Sequence, residues 1–189
     1  SISKSAIRKA MIKADGAQDD FNTAVKRRGK EILKGINERT IVIVGRAYNA
    51  FDSGINLEIP KKLAALGVFS IPMDYLPLES VDISDKWTNM YWKSGQNILM
   101  AAEIIRDHPK LFALYIGNFS CGPDSFIHRF FNKTMSNKPF LQIEIDEHSA
   151  DAGVITRCEA FLDSISSRDV INVNIPKMSA PSVLRKGAS

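Results

Sequence analysis

Apolar positions along the chain change their period several times, and each change marks an element. Residues 19 to 37 place Phe21, Val25, Ile32 and Ile36 near helical spacing behind two aspartates that suit a helix start, so this stretch predicts a helix. Thr40 to Gly45 (TIVIVG) is a β-branched run with no polar alternation, as a strand covered on both faces requires. Leu57 to Leu66 reads as a helix with Pro60 in its first turn and Gly67 as its stop, and Val68 to Met73 reads as the second strand. After an irregular stretch with Pro72 and Pro77, a long helix is expected from Ser84 or Asp85 to about His108, its apolar side carrying Trp87, Met90, Tyr91, Ile98, Ala102 and Ile105. Leu111 to Ile116 (LFALYI) and Phe140 to Ile145 (FLQIEI) are the third and fourth strands. Each is followed by a polar turn and a helix, at about Asp124 to Met135 and Asp151 to Ile165.

Strands alternating with helices at this spacing imply parallel pairing through right-handed crossovers. The expected fold is therefore an α/β three-layer sandwich, flavodoxin-like or Rossmann-like, with a short parallel sheet of four or five strands in the order 2-1-3-4. One α/β domain is expected over residues 19–166, with an N-terminal appendage over 1–18. The tail over 167–189 holds a candidate edge strand at Val170 to Ile175 (VINVNI).

Composition narrows the classes. Hydrophobic residues make up 44% and charged residues 24% of the 189, which suits one well-buried core. No apolar run reaches the roughly 20 residues that cross a bilayer, and the charged start is unlike a secretory signal, so the expected location is the cytoplasm. A chain opening on Ser1 with a basic amphipathic stretch suggests excision from a longer polypeptide. The net charge of +4 is spread among interspersed acids, and its densest run, Lys26, Arg27, Arg28 and Lys30, reads as a solvated helix face rather than a nucleic-acid contact. Two cysteines are too few for a disulfide framework, so each is either chemical or apolar in role.

In open parallel sheets ligands gather outside the carboxyl ends of the strands, where loops and helix N-termini converge. That rule selects Gly45 to Asn56, Gly117 to Ser125 and Asp146 to Gly153. In the first, Arg46, Asn49 and Asn56 supply donors for a phosphate or carboxylate, although the loop is neither a P-loop nor a GxGxxG fingerprint. A polar loop with Arg46 in an ordinary ion pair is the plainer alternative. In the second, Cys121 follows a buried strand and precedes Gly122 and Pro123 at a helix start, where a thiolate is favoured for attack on an electrophile or for metal ligation. The alternative there is a small core cysteine. Cys158, spaced with Val154, Ile155 and Phe161 on an apolar helix face, reads as core. In the third loop His148, flanked by Glu147, is a candidate general acid or base, with a loop-bracing hydrogen bond as the alternative.

The strings VGRAYNAFDSGINLEIPKKLAALGV, IPMDYLP, NMYWKSGQNIL, NFSCGPDSFI and IEIDEHSADAGVITRCEAFLDS resemble the large activase-type proteins related to 2-hydroxyacyl-CoA dehydratases and benzoyl-CoA reductases. The resemblance covers about residues 19–166. It implies a dehydratase-subunit-like domain of anaerobic acyl-CoA metabolism, in which cysteines from separate α/β domains hold a [4Fe-4S] cluster for low-potential electron transfer. It further implies an ATP-hydrolysing activase as partner within the same longer chain, an acyl-CoA ligand, and Cys121 and Cys158 as metal ligands. An oligomer would also suit such a system. With two cysteines here, and three or four thiolates usual for the cluster, the remaining ligands would come from other sequence or from a second molecule, and the segment alone would be inactive. The different-class alternative is a non-catalytic ligand-binding or interaction domain with structural cysteines.

Overall fold

The computed structural model describes the backbone of residues 2–174 and the side chains up to residue 167. Its centre is a four-stranded parallel sheet in the order β2-β1-β3-β4, formed by β1 (Thr40–Gly45), β2 (Phe69–Pro72), β3 (Leu111–Asn118) and β4 (Phe140–Ile145). Every residue of β1 is buried, as expected of a β-branched run between two helical layers. One face of the sheet, through Val42, Val44, Ala113 and Tyr115, packs under α4 (Lys93–Asp107) and α5 (Gly122–Met135). The other face, through Ile41, Ile43, Leu114, Ile116, Ile143 and Ile145, packs under α3 (Ile59–Ala65) and α6 (Asp151–Asn174). The result is the expected three-layer α/β sandwich, with the expected strand order.

Three expectations change. The helix expected over residues 19 to 37 begins earlier, as α1 (Lys4–Lys34), because Ser3 caps it by accepting the Ala6 amide at 3.2 Å and no residue between breaks the helix. The long helix expected from Ser84 or Asp85 begins only at Lys93. Residues 81–92 form turns instead, with Asp82 Oδ1 accepting the Ser84 amide at 2.8 Å. In that segment Trp87 packs edge-on against Phe130 at 5.0 Å, Met90 is buried and Tyr91 is exposed, so the three aromatic and apolar side chains do not share one helix face. Finally, α6 continues to Asn174, so residues 170–174 are helical and not an edge strand; the rest of the tail lies outside the described residues.

Two glycines are fixed by close approach. A Cβ on Gly45 would lie 2.6 Å from the Ile116 carbonyl oxygen, so the end of β1 can run beside β3 only with glycine there. A Cβ on Gly29 would lie 2.1 Å from the Tyr75 carbonyl oxygen, and this contact seats the last turns of α1 against the 73–75 turn. Ile32 and Leu33 then reach the first core, and Lys26 pairs with Glu79 at 3.3 Å. The rest of the basic run, Arg27, Arg28 and Lys30, is a solvated face. No helix among the described residues is long and apolar enough to cross a membrane.

Candidate functional site

The carboxyl ends of β1 and β3 lie side by side, with Gly45 in register with Ile116. The chain leaves β1 through Arg46, which precedes the short helix α2 (Ala47–Phe51). It leaves β3 through a tight turn. There Ser120 adopts a left-handed conformation at φ 56°, a strain of about 1–2 kcal/mol for a residue with a side chain. The turn is closed by the Cys121 amide donating to Asn118 at 3.2 Å and tied to β4 by the Phe119 amide donating to Ile145 at 3.0 Å. Cys121 is the N-cap of α5, partly exposed, and its side chain caps no amide. Pro123 follows in the first turn, where its missing N–H costs nothing.

The two strand ends are joined by Arg46. Its Nη2 reaches Asp124 Oδ2 at 2.8 Å, Cys121 Sγ at 2.9 Å and Asn118 Oδ1 at 3.4 Å, and its guanidinium lies 4.7 Å from the Tyr48 ring centroid. Asp124 is buried, and its Oδ2 also accepts the Asn118 amide at 2.8 Å, so one carboxylate locks both the arginine and the turn. Burial works against the charge on Arg46, but the hydrogen bond and charge of Asp124 outweigh it and hold the guanidinium more firmly protonated than usual. Beneath this pair lies Tyr115, buried and with its hydroxyl unpartnered; burial, then the charge of Asp124, push its pKa up, so it stays neutral. Arg46 Nε and Asp124 Oδ1 are also buried without protein partners. A cavity of about 380 Å3 adjoins the first turn of α5, lined by Met90, Tyr91, Trp92, Gly122, Pro123 and Phe126. The arrangement presents one sulfur, beside a fixed positive charge and the free amides of a helix start, next to an aromatic recess.

The other candidate residues lie elsewhere. Asn49 is fully buried, with its side-chain amide donating to the Ile116 carbonyl at 3.4 Å. Asn56 donates to the Ala50 carbonyl at 2.9 Å and so braces the loop from within, beside a second cavity of about 250 Å3 that Phe51 and Pro72 also line. Of the three donors proposed in the first loop, only Arg46 turns toward Cys121. His148 and Glu147 are exposed on the β4–α6 loop, 3.6 Å apart, and the His148 backbone donates to Asp146 Oδ1 at 3.0 Å. No hydrogen bond among the described residues links His148 to Cys121. Cys158 is fully buried among Val154, Phe161 and Ile165 in the second core, and burial pushes its thiol pKa up. The two cysteines thus belong to helices on opposite faces of the sheet.

The sequence does not single out Asp124, because a carboxylate in the first turn of a helix reads as serving the helix start. Its true partner lies 78 positions away, and only the parallel pairing of β1 and β3 brings the two together.

Fold and geometry together define a parallel α/β domain with a thiol, an arginine and a buried carboxylate at the carboxyl edge of its central strands. Residues 1–76 match the family described as CoA enzyme activase uncharacterised domain, and the chain thus carries a CoA-enzyme-activase-related domain. The matched residues run from α1 through the 73–75 turn and include Arg46, Asn49 and Asn56, whereas Cys121 and Asp124 lie beyond them. No curated protein and no solved structure matches the chain.

Proposed function

We propose that this is the thiolate-bearing domain of an activase or 2-hydroxyacyl-CoA dehydratase-like system, in which Cys121 supplies one ligand to a [4Fe-4S] cluster used for electron transfer. The observation that carries the reading is the placement of a partly exposed sulfur at a helix start, 2.9 Å from a guanidinium that Asp124 holds in place. The sulfur there lies beside a positive charge and is partly open to the solvent side, from which a metal could reach it.

The chain's own residues do not fit a whole cluster. Among the described residues no group of three or more His, Cys, Asp or Glu side chains is arranged to hold a metal ion, and Cys158 is enclosed in apolar core on the other face. Cys121 would therefore be one corner of a shared site, the remaining thiolates coming from other domains of a longer chain or from a partner, with an ATP-hydrolysing activase driving an electron from a low-potential donor onto the cluster. Such a cluster supplies one-electron chemistry; Cys121 would anchor it, Arg46 would offset its negative charge, and Asp124 would keep Arg46 from swinging to solvent.

A second reading, a non-catalytic ligand-binding domain, draws on the aromatic cavity beside Gly122. Anaerobic reconstitution of the longer parent protein with iron and sulfide separates the two. The cluster reading expects about four irons in the wild type and their loss in Cys121→Ser. No iron in the wild type, or full iron in Cys121→Ser, would move the assignment to the ligand-binding reading.

A further inference from the structure

Only the last turns of α1 touch the domain. Every residue from 2 through 24 is exposed, including Ile7, Met11, Ile12 and Phe21. Helices in proteins gain most of their stability by packing an amphipathic face, which this part of α1 does not do, and Gly16 in its middle weakens it further. Burial against another surface is what such a helix lacks.

The exposed side chains are not scattered. Ile7, Met11, Ala14, Gln18, Phe21 and Val25 follow one another in alternating steps of four and three residues, the spacing of a two-helix seam, and the stripe leads into Ile32 on the core. One flank of the stripe carries Ala10, Ala17 and Ala24 at seven-residue intervals, small enough to let a second helix come close. The other flank carries Arg8 and Asp15. Along the helix the charges separate into blocks: Lys4, Arg8, Lys9 and Lys13 come first, without an acid among them, and Asp15, Asp19 and Asp20 follow.

We infer that the free part of α1 pairs with the same segment of a second copy of this chain, antiparallel, about a two-fold axis near residues 12 and 13. In that register Met11 faces the partner copy's residue 14 position and Ile7 faces its residue 18 position, so the apolar stripe closes on itself. Arg8 meets the aspartate of the other copy on one flank, Asp15 meets its arginine, and the alanines pack together on the opposite flank. The basic block of each helix lies along the acidic block of the other. A parallel pair would set like blocks side by side and leave Arg8 and Asp15 facing alanines. The overlap runs from residue 4 to residue 21, about 27 Å of helix, and ends before Val25, where α1 begins to meet its own domain. The second helix therefore covers the free length and displaces nothing. Gln18 and Lys4 in the seam keep the association modest and reversible. This pairing is independent of the role given to Cys121.

Sedimentation velocity on the whole chain, from micromolar to submillimolar concentration, tests the inference. The expected result is a concentration-dependent shift from monomer to dimer, abolished by Met11→Asp. Arg8→Asp and Asp15→Arg should each weaken the dimer about tenfold, and the double variant carrying both should return to near the wild-type constant. A chain that stays monomeric throughout, charge swaps without effect, or a double variant as weak as either single one would each overturn the antiparallel pair.

Discussion

The two cysteines of this chain occupy opposite kinds of surroundings on the same scaffold. Cys121 sits at the first turn of α5, partly exposed, with a guanidinium at 2.9 Å and an aromatic recess beside it. Cys158 lies two turns into α6 with no exposure, between Val154 and Phe161, and its thiol is made harder to ionise by burial. Both read from the sequence as candidate metal ligands, yet helix position alone leaves one sulfur partly exposed beside a guanidinium and the other enclosed in apolar core. What a cysteine can do is set by where the strand before it ends: a helix start at the carboxyl edge of the sheet leaves sulfur near free amides and solvent, whereas mid-helix on the core side leaves it in hydrocarbon.

That contrast can be broken or sharpened by substitution. The largest effect is expected at the group that organises the Cys121 side. Asp124→Ala strands a mostly buried Arg46 and should cost about 3 kcal/mol of stability in urea unfolding, whereas Asp124→Asn, which keeps an acceptor for the Asn118 amide, should cost about half of that. On the other side, Cys158→Ser puts a hydroxyl among Val154, Phe161 and Ile165 and should lower stability by about 1–2 kcal/mol, with no change in any iron taken up on reconstitution. Retained stability together with lost iron would reverse the assignment of Cys158.

A pH effect comes next. The Cys158 thiol is raised in the folded state above its ordinary value of 9.0, so its contribution is whole below that value and is lost as the pH rises through the folded one. Urea unfolding at neutral and at strongly alkaline pH should therefore show a larger alkaline loss for the wild type than for Cys158→Ala; equal losses would contradict the buried setting. The smallest effect is expected at the exposed sulfur, where Cys121→Ser should change stability by no more than about 0.5 kcal/mol, since the hydroxyl can accept from Arg46 in its place.

The strands were legible because their signal is local. TIVIVG, LFALYI and FLQIEI carry enough β-branched and apolar residues in a row to fix the elements, and the helices between them leave parallel pairing as the only compact arrangement. Cys121 could be found for the same reason, since Gly122 and Pro123 mark the helix start beside it. Long-range contacts were not legible. Trp87, Met90 and Tyr91 have helical spacing, but Trp87 is drawn to Phe130 and Met90 to the first core, and the segment stays irregular. Residues 170–174 have strand composition and are helical, as the continuation of α6. The Arg46–Asp124 pair joins the end of β1 to the first turn of α5, which no local pattern connects, and the tie between Arg39, before β1, and Ser166 on α6 is likewise long-range.

The most direct test is to treat the folded, metal-free protein with iodoacetamide at neutral pH and locate the modified residue by peptide mass. The account predicts rapid labelling of Cys121, with Cys158 modified only after the protein is unfolded in urea. Labelling of both cysteines at similar rates in the folded protein, or protection of Cys121, would contradict it.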